Sequence, residues 1–160
     1  MLKRLHIQNY AIIRELDLVF SDGMIIITGE TGAGKSILMG ALGLALGDRA
    51  DAAVMRNKES KTIIEAVFDD ASMAQLKEIF AENELEQDEE ILLRREIQVS
   101  GKSRAFVNDT PVPLSVLSQV ASKLVDLHQQ FDTLELGSQV FQQELLDIRA
   151  GNGELMALVS

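Results

Sequence analysis

Eight consecutive residues carry the clearest chemistry in this chain: Gly29, Glu30, Thr31, Gly32, Ala33, Gly34, Lys35 and Ser36. They satisfy G-x-x-x-x-G-K-S/T at every fixed position. A phosphate needs several donors crowded onto it, and a backbone without Cβ lets several N–H groups point at one anion. A helix opening at Gly34 adds its positive end. Lys35 brings a full charge to β- and γ-phosphates. Ser36 offers a hydroxyl to Mg²⁺, an ion that keeps several waters and octahedral geometry. From background frequencies, a chance match in a chain of this length has odds of roughly 1 in 200.

Binding a nucleotide is only part of hydrolysis. An acidic residue should also end a second apolar strand, to hold the metal shell and orient water. Three positions approach this pattern: Asp69 after Ala66, Val67 and Phe68; Asp126 after Leu124 and Val125; and Asp147 after Leu145 and Leu146. Glu65, Lys123 and Glu144 interrupt the apolar run in each case. Each acid therefore reads more readily as a turn or surface residue than as a metal-shell residue. One half of an ATPase site is plain and the other half is not. The alternative is a complete small P-loop kinase or nucleotidase using Asp69 or Asp126. Such an enzyme needs arginines over the transferred phosphate, and few are unassigned beyond Arg56.

The elements that must position the loop follow from periodicity. Alternation from Leu2 to Gln8 predicts a half-buried strand, and Leu16 to Phe20 a second. Met24, Ile25, Ile26, Ile27 and Thr28 form a β-branched run of the kind found in a central strand covered on both faces. Helical spacing runs from Lys35 to Leu46, and Gly47 ends it. Residues 48–61 read as a loop, 62–68 as a strand and 71–82 as a helix. Six acids in the nine residues 82–90 mark a solvated turn. Residues 91–99 and 104–107 predict a hairpin joined at Ser100, Gly101 and Lys102. A turn follows at 108–111, then a helix at 114–124, a short strand at 124–127 and helical pattern from 133 to 159.

Composition narrows the function classes. The chain has 160 residues, 46% hydrophobic and 25% charged, as an ordinary globular domain does. Its 15 Lys+Arg against 25 Asp+Glu give a net charge of −10, so it does not wrap nucleic acid through a surplus of cations. A local basic patch stays open. Cys is absent, which excludes disulfides and thiolate metal sites. Two histidines, His6 and His128, are too few for a His-rich metal centre, and His128 reads as a packed or surface residue. No signal-like or membrane-length apolar run occurs, so the expectation is an intracellular, cytoplasmic protein.

The stretch from Thr28 to Leu38, followed by Leu46, Gly47, Asp48, Arg49, Ala50 and Asp51, resembles the N-terminal head segment of the RecN family. These are bacterial DNA double-strand-break repair ATPases related to the SMC proteins. The opening Leu5, His6, Ile7, Gln8, Asn9, Tyr10, Ala11, Ile12 and Ile13 is similar as well. So is the run Leu124, Val125, Asp126, Leu127, His128, Gln129 and Gln130, which is similar to the family's Q-loop.

The resemblance implies an α/β fold: a P-loop NTPase of ABC/SMC head type, its N-terminal lobe a mixed sheet with flanking helices. It implies residues 1–150 as that lobe and 151–160 as the start of a connection to a coiled coil. The signature motif, acidic strand end and catalytic glutamate would follow in a C-terminal half absent from this chain. Gly29 to Ser36 would bind ATP, with Lys35 and Gln130 catalytic and Ser36 and Gln130 in the Mg²⁺ shell. The family usually carries Gly where this chain has Gln129, so either glutamine suits that role. Arg56 falls where related SMC heads place an arginine near nucleotide or DNA, a surface arginine being the alternative. Asn9 and Tyr10 lie near the adenine or serve the turn and core. The implied partners are the C-terminal half of the same head, a second head in an ATP sandwich, and DNA, in a nucleoid-associated protein without a membrane role. The implied activity is ATP hydrolysis by the full-length protein, with this chain alone inactive.

Overall fold

The computed structural model describes residues 1–28, 32–50, 52–69, 73–86 and 88–125, which belong to one unit, Met1–Val125. Two antiparallel strands open it, β1 (Leu2–Tyr10) and β2 (Ile13–Val19), joined by a tight turn at Ala11 and Ile12. Helix α1 (Gly32–Leu46) follows, then a single 3-10 turn (Ala52–Val54). Strand β3 (Thr62–Asp69), helix α2 (Met73–Glu82), strands β4 (Glu90–Ile97), β5 (Ser103–Val107) and β6 (Thr110–Val112), and helix α3 (Leu114–Leu124) complete the order. The six strands form one sheet in the order β2-β1-β3-β4-β5-β6, and every pairing is antiparallel.

Period-two patterning gives the sheet two unlike faces. Leu5, Ile7, Ile64, Ala66, Phe68, Ile91, Leu93, Ile97, Ala105 and Val107 are buried on one face. The register sets Leu5 against Ala66, Ala66 against Leu93, and Leu93 against Val107. Ala41, Leu44 and Ala45 of α1, Leu76 and Phe80 of α2, and Leu117 and Val120 of α3 close over that face. Each fully buried Ile, Leu or Phe contributes roughly 1.5–3 kcal/mol relative to exposure. The opposite face carries charge: Arg94 Nη1 lies 2.6 Å from Asp109 and 3.8 Å from Glu65, and its guanidinium stacks 4.4 Å over Phe106.

Helix ends are set by backbone geometry. Gly47 has φ +116°, its N–H donates to Leu44 O, and Asp48 N–H donates to Gly43 O at 2.9 Å. That is the paired Schellman bonding of a helix C-terminus. The same pattern closes α2, where Glu84 takes the left-handed position at φ +54° and Leu85 N–H reaches Phe80 O at 2.9 Å.

Beyond shifts of strand bounds, such as β2 starting at Ile13 rather than Leu16, the structure differs from the sequence reading at four points. Helix α1 starts at Gly32, two residues before the expected Gly34. Strand β6 lies where only a turn is expected. Asn108 and Asp109, both at positive φ, make a two-residue hairpin turn, and Pro111 is tolerated because β6 is an edge strand. Residues 24–28 form no strand and are exposed, Met24 at 89% and Ile26 at 71%. A β-branched run becomes a central strand only where neighbours take its N–H and C=O groups, and no strand among the described residues pairs with it. The parallel component that this run would have added is accordingly missing from the sheet described. The expected strand at 124–127 begins inside α3, and its last two residues, with the helical pattern from 133 onward, lie outside the described residues.

Candidate nucleotide site

Helix α1 presents its first turn, Gly32 to Lys35, without an acidic residue. The first-turn N–H groups of a helix lack intrahelical acceptors, and these with the aligned dipole favour an anion there. Gly34 and Ser36 are exposed and Lys35 is half-buried. A Cβ added at Gly34 would meet nothing within 4 Å, so the helix start opens onto free space. Beside it lies a cavity of about 280 Å³. Gly34, Lys35 and Thr28 line it together with Ile12, Ile13 and Leu16 from the β1–β2 hairpin. A cationic, N–H-rich helix start therefore shares a cavity with apolar side chains. The hairpin residues of that lining were not among the sequence-predicted site residues; only their apolar type and proximity in sequence to Tyr10 hinted at them.

The donor set suits a triphosphate with Mg²⁺: backbone amides at a helix start, one lysine ammonium, and the Ser36 hydroxyl as a metal ligand. Gly29, Glu30 and Thr31 lie outside the described residues, as do Gln129, Gln130, His128, Asp126 and Asp147. Among the described residues, no group of three or more His, Asp or Glu side chains gathers to hold a metal.

Asp69, one of the acids considered for the metal shell, is committed elsewhere. Its carboxylate accepts from the amino group of Met1 and lies 3.3 Å from Lys3 Nζ. Those partners, the amino terminus first, hold its pKa below the usual carboxylate value. Lys3 also donates to Asp22 at 2.5 Å, and that bond with the Asp69 contact raises its own pKa.

Asn9 and Tyr10 take the turn and core role. Asn9 is buried at φ +55°, and its Nδ2 donates to the carbonyls of Asn57 and Ser60, each at 2.8 Å. Its Oδ1 accepts the Asn57 N–H at 2.7 Å, and its own carbonyl accepts from Thr62 Oγ1 at 2.6 Å. Tyr10 is buried against α1, where a Cβ at Gly40 would fall 2.7 Å from its hydroxyl. Burial raises the Tyr10 pKa. Together these contacts anchor the loop that carries Arg56, which is itself exposed.

The sequence matches the AAA domain family over residues 4–147. It is 43% identical over 156 residues to the DNA repair protein RecN of Vibrio cholerae, covering 98% of this chain and 28% of that one. With the DNA repair protein RecN of Bacillus subtilis the identity is 39% over 152 residues, covering 94% and 26%. The chain thus spans just over a quarter of the length of these relatives. Among solved structures, it matches one from work on ATP-driven dimerization and DNA-stimulated activation of SMC ATPases. The TM-score is 0.62 at 17% identity, covering 91% of this chain and 97% of the other. The SMC head domain from Thermotoga maritima matches at TM-score 0.54 and 22% identity, covering 74% and 41%. The recombination mediator RecF, in its ATPrS form, matches at 0.57 and 18%, covering 73% and 29%. The chain belongs to the AAA domain family, is similar over nearly its whole length to RecN DNA repair proteins, and has the P-loop NTPase fold of SMC and RecF ATPase heads.

Proposed function

We propose that this chain is the N-terminal half of an ATPase head in a RecN-like protein of DNA double-strand-break repair. One observation carries the reading: α1 starts without an acid, exposing Gly34 and Ser36 and setting Lys35 beside an apolar cavity. On this reading residues 1–150 are the N-terminal lobe and 151–160 lead toward a coiled coil. When bound, ATP with Mg²⁺ supplies the triphosphate and the Lewis acid. The chain's own residues hold and orient it. Backbone N–H groups of residues 29–36 bind the phosphate oxygens, and the Lys35 ammonium neutralises charge between the β- and γ-phosphates. The Ser36 hydroxyl and a glutamine at 129 or 130 ligate the metal, the glutamine also registering whether the γ-phosphate is present. Ile12, Ile13 and Leu16 give the site its apolar lining. Arg56 adds positive charge near nucleotide or DNA.

The missing acid and catalytic glutamate come from the C-terminal half of the same head. Its docking is supported by residues 24–27, which expose a β-branched run that no described strand pairs. Two heads closing on two ATP molecules, and parting after hydrolysis, would couple the nucleotide to DNA. The solved SMC relative, described by its ATP-driven dimerization and DNA-stimulated activation, supports this coupling by likeness of fold. The protein would work in the bacterial cytoplasm, at the nucleoid. No helix among the described residues is long and apolar enough to cross a membrane.

The test is equilibrium binding of ATP·Mg and phosphate release by the 160-residue chain. Weak binding, reduced roughly tenfold or more by Lys35→Ala, and turnover at background are expected. Robust turnover that Lys35→Ala abolishes would overturn the half-head reading. Binding indifferent to Lys35→Ala would overturn the nucleotide site itself.

A further inference from the structure

Arg95 occupies a position where the sheet otherwise places hydrocarbon. Strand β4 buries Ile91, Leu93, Arg95 and Ile97 on its helix-covered face, and Arg95 lies between Ile64 of β3 and Ala105 of β5. Only 3% of the residue is exposed. Among the described residues it makes no ion pair. Its Nη2 donates to Ser103 Oγ at 3.0 Å, and its buried Nε has no acceptor. Burial lowers its pKa, yet a guanidinium stays charged in proteins. The contrast with its neighbour is direct: half-buried Arg94, on the other face, has Glu65, Glu96 and Asp109 around it. Among the described residues, three acids stand beside Arg94 and none beside Arg95. A buried charge without a counter-charge is unfavourable, and the described residues supply no anion for it.

The surroundings define what that anion is. Arg95 and Ser103 line a cavity of about 530 Å³ at the β5–β6 edge, together with Arg104, Pro113 and Leu114. Pro113 caps α3 without a side-chain hydrogen bond, and the first turn of this 11-residue helix contains no acid. Its N-terminal amides and positive dipole end border the same space. Residues bearing a guanidinium, a hydroxyl and a helix-start amide, from three elements, thus line one cavity, with Arg104 as a second cation. Donors of three origins suit a tetrahedral oxyanion with several acceptor oxygens better than a planar carboxylate.

We propose that Arg95, Ser103 and the start of α3 form a phosphate-binding site separate from the loop at residues 29–36. The phosphate is carried by a free anion or nucleotide, or by a nucleic acid backbone.

The experiment uses the full chain carrying Lys35→Ala, so that the loop does not contribute. Inorganic phosphate is titrated at constant ionic strength, with binding read by ³¹P line broadening and thermal unfolding. Saturable binding that raises the melting temperature is expected. Arg95→Met should weaken it roughly tenfold or more, and without phosphate should melt no lower than the Lys35→Ala parent, since it removes an uncompensated charge. Arg95→Lys, which keeps the charge and loses Nε, should also weaken binding and guards against misfolding of the methionine variant. Competition by a short DNA duplex identifies nucleic acid as the source, and competition by a nucleotide alone identifies the free ligand. No saturable phosphate binding in the Lys35→Ala chain, or binding unchanged in Arg95→Met or Arg95→Lys, would overturn the proposal. Neither result bears on the nucleotide loop.

Discussion

Asp69 ends β3 with its carboxylate between the Met1 amino group and Lys3. Its folded pKa lies below the ordinary 3.8, so the ionised form is the one the fold prefers. The stabilisation is fully present above the unfolded pKa and is lost as pH falls through the folded one. Asp69→Asn should therefore lower the melting temperature at neutral pH, and the deficit should shrink as pH drops below about 4. Urea melts at pH 7, 5 and 3.5 check this, and a deficit that grew on acidification would contradict the ion pair. The same residue shows why an acid at a strand end is ambiguous in sequence. It ends a strand, as a metal-shell acid would, but the partners that claim it, Met1 and Lys3, lie 68 and 66 positions away.

At the scale of elements, two helices end by the same hydrogen-bond pattern with different residues at the left-handed position. Gly47 fits α1 because it alone lacks the Cβ that φ +116° would strain, and that Cβ would also sit 3.3 Å from the Ser118 backbone. Glu84 holds the equivalent place in α2 at φ +54°, exposed and at a conformational cost. Gly47→Ala should destabilise the chain by roughly 1–3 kcal/mol and Glu84→Gly should stabilise it by roughly 0.5–1 kcal/mol. Denaturant midpoints of the two variants, read side by side, test the shared motif. Equal and small effects would argue against it.

For the molecule as a whole, the notable surface is residues 24–27. Ile26 is 71% exposed beside the most conspicuous motif in the chain, although its type belongs in a core. Ile26→Lys should leave the unfolding free energy of the 160-residue chain within about 0.5 kcal/mol of the parent, because no burial is lost. It should also reduce self-association in sedimentation. A large destabilisation would show that this run is already packed.

The body and end of α1, the β4–β5 hairpin and α3 were legible in the residues, because each is written in local terms. Glycine spacing, helical or alternating periodicity and a turn glycine act within a few positions of the chain. Strand β6 was not legible, since Pro111 is excluded from a central strand and allowed at an edge, and only the assembled sheet says which it is. The exposure of 24–28 was not legible for the converse reason: a β-branched run encodes a wish for neighbours without supplying them. Nor was Arg95, one charge in an ordinary alternation until β3 and β5 close around it. What the sequence determined by itself is the local conformation of these elements. Which groups are paired, buried or left without a counter-charge was decided by strands and helices brought together from distant parts of the chain, because desolvation and ion pairing depend on neighbours in space.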